Sequence, residues 1–248
     1  MSDTHPLAPL IRRWSRRVTF SPDDQTALLA LPFTRRTFGK EHYIVREGQR
    51  SDDCSLMLRG LSFRQKLLSN GARQILAFQI PTEFVDLQNG LLDVADHNVQ
   101  SLDGSEVATI PRSALVALSG ERPAVRLAMW TDTLVEASIS REWVVNVGRR
   151  DSRARIAHLL CELALRLEGI GEGSDGHFDF PVTQEQLADG TGLTPVHTNR
   201  TLQSLRRDGL IQLSSRALTV LDWDGLKEAA DFDELYLHQH LPSRPLEA

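Results

Sequence analysis

Cysteine is nearly absent from this chain, with two among 248 residues. Two thiols cannot build a disulfide framework, and a four-thiolate iron–sulfur cluster within one chain is excluded by count. Long apolar runs are missing too, since none approaches the ~18 residues that a membrane helix requires. Met1 to Trp14 shows no apolar stretch followed by a small-residue cleavage site, so no export signal is expected. There is no internal repeat and no low-complexity tract. What is present, 41% hydrophobic and 25% charged residues, suits a packed soluble protein and argues against disorder. At roughly 100–200 residues per domain the length allows one large domain or two small ones. The expected location is the cytoplasm, with no membrane partner.

The net charge of −5 hides an uneven distribution. Between Asp222 and Ala248, seven acids stand against Lys227 and Arg244, an acidic tail. Between Arg149 and Arg166, five arginines stand against Asp151 and Glu162.

Residues Thr34 to Ile110 are dense in short strand-like runs broken by turns. Turn signals lie at Glu47-Gly48, Ser51-Asp52 and Arg59-Gly60. Asn70-Gly71, flanked by β-prone runs, predicts a hairpin with a type I′ turn. Asp103-Gly104 predicts a second pair of strands. This spacing suggests a small antiparallel barrel or roll. A cupin-like enzyme stays open at this point, although a metal cupin needs clustered ligands. His42 and His97 are far apart and read as polar surface residues, and no metal is expected.

From Ser113 to about Val147 the pattern becomes helical. Leu127, Trp130, Leu134 and Ala137 recur at three- and four-residue steps, with Val144 and Val145 further on, an apolar stripe suited to a dimer seam. Val147-Gly148 reads as a hinge. Another amphipathic helix follows, with Ile156, Leu159, Leu160, Leu163 and Leu167 on one side and Cys161 among them as a buried, inert thiol. "GIGEGSDGHFDF" reads as a glycine-rich loop.

The last third carries the most specific pattern. Thr183 and Gln186 form a capping box that starts a helix, and Gly190 and Gly192 end it in a tight turn. Thr194 is a second N-cap with Pro195 at the favoured first helical position. The second helix ends near Asp208 and Gly209. Its inner face is Thr198, Leu202 and Leu205, and its outer stripe is Val196, Asn199, Arg200 and Gln203. "LIQL" and "ALTVL" then form a two-stranded wing around Ser214-Ser215-Arg216. Two short helices, a glycine turn and a hairpin make a winged helix-turn-helix, which offers the start of its second helix to the DNA major groove. Arg200 can bind guanine bidentately, Asn199 can reach a base edge or phosphate, and Pro195 and Val196 can touch a thymine methyl. Thr194 and His197 complete the candidate surface at the helix start. Arg206, Arg207 and Arg216 are placed for phosphate.

With these residues identified, the chain resembles bacterial transcription regulators of the Crp/Fnr family. The resemblance runs from about Phe33 to Leu221 through "YIVREGQRSDDCSLMLRGLSF", "LLSNGARQILAFQIPTEFVDL", "GRRDSRARIAHLLCELALRL" and "VTQEQLADGTGLTPVHTNRTLQSLRRDGLI". It implies an α+β chain: a cyclic-nucleotide-binding-like jelly roll with a leading helix over 1–112, a dimerisation helix over 113–148 and a winged helix-turn-helix over 149–248. It implies a homodimer on an inverted-repeat operator in double-stranded DNA, with RNA polymerase as a partner and no enzymatic activity. Two departures matter. The cyclic-AMP-responsive members open the recognition helix with an Arg-Glu pair, where this chain has Pro195 and Val196 and keeps only the later Arg200. Their phosphate-binding cassette uses Gly-Glu and Arg-Ser, whereas residues Gln74 to Pro111 here contain no Lys or Arg and include Glu83, Asp86, Asp93, Asp96, Asp103 and Glu106. A cyclic phosphate would meet acids and no cation, so independence from cyclic nucleotides is expected. No cofactor is expected: no haem signature accompanies His42, His97 or Cys54, and a Cys54 thiolate is disfavoured beside Asp52 and Asp53. The reading of a different class is a small-ligand signalling module, or a cupin-like enzyme, whose winged helix binds protein.

Overall fold

The computed structural model describes residues 5–214 and 216–239; Ser215 of the wing and the end of the acidic tail, from His240 onward, lie outside the described residues. The chain forms two compact units. Among the described residues, the first takes in 5–64, Gln79–Ala137 and 238–239, and the second takes in Gln65–Phe78 and 138–237.

Two short helices lead the first unit, α1 (Ala8–Trp14) and α2 (Pro22–Leu29). Ser21 caps α2 by accepting the Asp24 amide, and the Asp24 carboxylate accepts the Ser21 amide in return. The strands are β1 (Thr34–Phe38), β2 (Tyr43–Val45), β3 (Asp53–Leu67), β4 (Arg73–Gln79) and β5 (Asn98–Pro111). They pair in the order β1-β5-β3-β4, with β2 also on β5. β1 runs antiparallel to β5 from Thr34 opposite Thr109 to Phe38 opposite Ser105. Val45, Met57, Val85, Val99 and Val107 fill one cluster of the interior. In another, Trp14 stacks between Phe20 and Phe84 under Leu115, Leu118 and Val125.

Four sequence expectations about this half change. Asp103-Gly104 does not divide two strands, because β5 runs through it, with Gly104 at φ 109° bending a single strand. Gly60 lies beside it, and a Cβ there would come within 2.3 Å of the Gly104 carbonyl oxygen; the two strands approach that closely because Gly60 lacks a side chain. The β3–β4 turn is not type I′, since only Gly71 has a positive φ. Leu68 O accepts the Gly71 amide and Leu68 N donates to Ala72 O, a three-residue loop with its glycine in the left-handed position. His97 is buried at 5% exposure, its Nδ1 2.6 Å from an Asp96 carboxylate oxygen, whereas His42 is exposed as expected. Finally, the helix expected from Ser113 is two helices, α3 (Arg112–Glu121) and α4 (Pro123–Arg149). The ring of Pro123 forces Arg122 out of helical geometry, to φ −120°, ψ 98°.

The second unit contains α5 (Ser152–Gly169), β6 (His177–Asp179), α6 (Gln184–Thr191), α7 (Pro195–Arg207), β7 (Ile211–Leu213), β8 (Ala217–Val220) and α8 (Trp223–Ala230). The wing is a three-stranded sheet, β6-β8-β7, because the stretch that read as a glycine-rich loop supplies β6. The acidic segment is no free tail as far as Leu237. Leu226, Ala230 and Leu237 are buried, and the His158 ring lies 5.0 Å from that of Phe232 and 5.6 Å from that of Tyr236. Acids on the outward side of an amphipathic helix give an acidic count without giving disorder.

Candidate nucleic-acid interface

The helix-turn-helix is built by its caps. Thr183 accepts the Gln186 amide, and the Gln186 side chain accepts the Thr183 amide, so two N-terminal donors of α6 are satisfied reciprocally. Gly192, at φ 65°, ends α6 in the left-handed conformation. Thr194 then accepts the His197 amide at 3.3 Å, and Pro195 opens α7. Thr198, Thr201, Leu202 and Leu205 are buried, which turns the opposite face outward.

On that face Val196 is 65% exposed. His197, Arg200, Gln203, Arg206 and Arg207 are exposed, as are Thr194 and Pro195 at the helix start. Among the described residues, no hydrogen bond or ion pair engages the Arg200 or Arg206 guanidinium. Asn199 differs from its neighbours on the stripe. It is half-buried, and its amide donates to Gln184 Oε1 at 2.9 Å, tying α7 to the start of α6. Arg207 leans on Ser204 at 3.3 Å, and Arg216, on the wing, lies 3.9 Å from Asp179.

Four of the five arginines between Arg149 and Arg166 are braces. Arg150 pairs with Glu142 at 2.7 Å, and Arg153 holds Asp208 at 2.7 Å and Ser204 at 2.8 Å. Arg155 donates to Thr191 O at the C-terminal end of α6, where a cation complements the helix dipole. Arg166 binds Glu162 at 2.9 Å and the Phe78 carbonyl at 2.8 Å. A basic stretch in sequence is here a set of internal ties, because each side chain reaches an acid or carbonyl brought near by folding.

These features meet the comparisons with known proteins. Residues 154–229 match the model of the Crp-like helix-turn-helix domain. The chain is 29% identical over 202 residues to the transcriptional activator protein FnrL of Cereibacter sphaeroides, covering 80% of this chain and 81% of that one. It is 25% identical over 228 residues to the nitrogen fixation regulation protein FixK of Azorhizobium caulinodans, covering 90% of each. Residues 154–229 are thus a Crp-like helix-turn-helix domain, in a transcription regulator similar to those of the Crp/Fnr family. The structure of FixK2 from Bradyrhizobium japonicum shares the fold, with a TM-score of 0.74, 24% identity, and coverage of 80% of this chain and 98% of that one. The relatives named here are regulators, not enzymes.

In this regulator the stretch without Lys or Arg receives cations from elsewhere in the first unit. Arg64 donates to Val85 O and pairs with Glu136, Arg13 donates to Thr82 O and pairs with Asp132, and Arg112 donates to Gly90 O and pairs with Asp93. Each is bound to a carboxylate. Asp86, which accepts the Ser55 amide, is fully enclosed, and burial pushes its carboxyl up to about 7. Burial likewise pushes the Cys54 thiol up to about 12, the direction of an unreactive thiol. Among the described residues no helix is long and apolar enough to cross a membrane.

On the candidate seam of α4, Trp130 (61%), Leu134 (67%) and Val144 (70%) are strongly exposed, and Val145 is exposed too. Ala137 is half-buried, and Leu127 packs partly on the core of its own unit.

Proposed function

We propose that this regulator works in the cytoplasm as a homodimer that reads an inverted repeat through α7, without a cyclic nucleotide, and acts on transcription through RNA polymerase. The observation that carries the reading is the stripe of α7: Val196, Arg200 and Gln203 face outward while Thr198, Leu202 and Leu205 anchor the helix. The planar fork of Arg200 matches the N7 and O6 acceptors of guanine. Arg206, Arg207 and Arg216 supply sequence-blind phosphate contact. Asn199, tied to Gln184, holds the two helices together and sits behind the reading edge.

The exposed apolar residues of α4 support a two-fold seam, and a two-fold dimer presents its α7 helices to half-sites about one helical turn, ~34 Å, apart. The carboxylates already bound to Arg13, Arg64 and Arg112 support independence from cyclic nucleotides, since a cyclic phosphate would have to displace them.

The test is a titration of wild type, Arg200→Ala and Arg206→Ala. The DNAs are a duplex that the wild type selects from a random pool and its scrambled version, each at two salt concentrations. Arg200→Ala is expected to cost about 1–3 kcal/mol per half-site on the selected duplex only. Arg206→Ala is expected to weaken both duplexes and lower the salt dependence. Equal loss on both DNAs for Arg200→Ala would make Arg200 a phosphate contact.

A further inference from the structure

The loop-end residues of the β3–β4 hairpin, Gln65–Phe78, belong to the second unit, with the helix-turn-helix. Arg73, at the start of β4, is a polar link to α6. Its Nε lies 2.6 Å from Asp189 Oδ2 on α6, and its Nη2 lies 3.7 Å from Glu185 Oε1 on the same helix. Glu185 and Asp189 are four residues apart, so they share one helix face and repel when unpaired. Arg73 offsets both charges at once. The Arg73 and Asp189 side chains are mostly shielded from solvent, which reduces screening of the contact.

A second contact lies at the other end of β4. Phe78 is fully buried, its carbonyl accepts Arg166 Nη2, and its ring centroid is 6.1 Å from that of Trp143. The backbone of α6 rests on these rings at Gly190, where a Cβ would stand 3.6 Å from Phe78 and 3.7 Å from Trp143. α6 is therefore seated on the hairpin by an ion pair towards its outer side and an aromatic contact at its buried end. α6 passes that position on to α7 through the Gln184–Asn199 hydrogen bond. The outer stripe of α7 stays exposed while α6 is seated in this way.

We propose that Arg73 is a positioning residue for DNA recognition: the hairpin seats α6 through Asp189 and Glu185 and thereby sets the angle at which α7 presents Arg200. This rests on the reading of α7 given above. A side chain that touches no base thus controls specificity, by fixing the helix that carries the base-reading residue.

The experiment compares full-length wild type, Arg73→Glu, Asp189→Arg, the Arg73→Glu/Asp189→Arg double variant and Arg200→Ala. Affinities are measured by fluorescence anisotropy on the selected and scrambled duplexes, and the readout is their ratio. Each single variant of the pair is expected to lower that ratio about tenfold, and the double variant to recover to within about threefold of wild type. A net-charge effect on phosphate binding would move both duplexes together and leave the ratio alone. Hydrogen exchange of the α6 amides is expected to rise in the singles and return in the double, which keeps the test decisive if one variant is weakly folded. An unchanged ratio in Arg73→Glu, or no recovery in a folded double variant, overturns the proposal. If Arg200→Ala lowers the ratio and Arg73→Glu does not, only the positioning role fails. If Arg200→Ala leaves it unchanged, the reading of α7 itself fails.

Discussion

Glu162 is the buried charge on which the second unit turns. It has 0% exposure, and its carboxylate accepts Trp143 Nε1 at 3.0 and 3.1 Å, Arg166 Nη1 at 2.9 Å and Tyr236 Oη at 2.9 Å. Those donors come from α4, α5 and the segment after α8. Burial pushes the Glu162 carboxyl up, and the charge of Arg166 with the hydrogen bonds from Trp143, Tyr236 and Arg166 opposes it. Glu162→Ala removes the counter-charge of the buried Arg166 guanidinium, whose Nη2 still donates to the Phe78 carbonyl, and orphans two donors, Trp143 Nε1 and Tyr236 Oη. Breaking one side of a buried pair costs about 3–5 kcal/mol, and each orphaned buried donor adds about 1–3 kcal/mol where water cannot enter. A loss of about 3–5 kcal/mol is expected, because water admitted by the truncated side chain recovers part of the second cost. Urea unfolding followed by tryptophan fluorescence, with Trp143 in the affected site, should show the midpoint falling by about 2 M at an unchanged slope of about 2 kcal/mol per molar. The Glu162→Met/Arg166→Met variant removes both charges and is expected within about 2 kcal/mol of wild type. A Glu162→Ala protein within 1 kcal/mol of wild type, on the scale where buried pairs count, or a double variant as unstable as the single, would refute the reasoning.

Three further outcomes follow from the same geometry. Leu134→Asp, which places a charge on the exposed stripe of α4, should shift the protein from dimer to monomer in sedimentation at micromolar concentration; an identical profile for both proteins removes α4 as the seam. Asp86, held at about 7 against about 3.9 unfolded, keeps a proton in the fold between those values. Its contribution is therefore largest below pH 4 and is lost as pH rises through 7. Asp86→Asn should be more stable than wild type by roughly 2–4 kcal/mol above pH 8, at about 1.4 kcal/mol per unit, and nearly equal at pH 4; parallel pH profiles would show the group to be solvated. Calorimetry with cyclic AMP or cyclic GMP should give no heat at micromolar concentrations, and a saturable signal would mean that Arg13, Arg64 or Arg112 leaves its carboxylate for the phosphate.

The sequence by itself determined the elements whose causes are local. Thr183 and Gln186, Gly192, Thr194 and Pro195, and Gly209 each act within a few residues of themselves, so both helices of the helix-turn-helix and their faces were legible without a structure. The apolar steps of α4 were legible for the same reason, and so was the hairpin at Asn70-Gly71, though its loop type was not. The tertiary structure alone decided what depends on partners far along the chain. Five arginines in one segment look like a DNA-facing patch until Glu142, Asp208, Thr191 O and Glu162 are found beside four of them. A barren stretch from Gln74 to Pro111 gives no sign that Arg13, Arg64 and Arg112 reach it, and His97 gives none that it is buried. Arg73 and its partner Asp189 are 116 residues apart. No local pattern encodes that pair, because each is an ordinary surface charge until the fold removes the water between them.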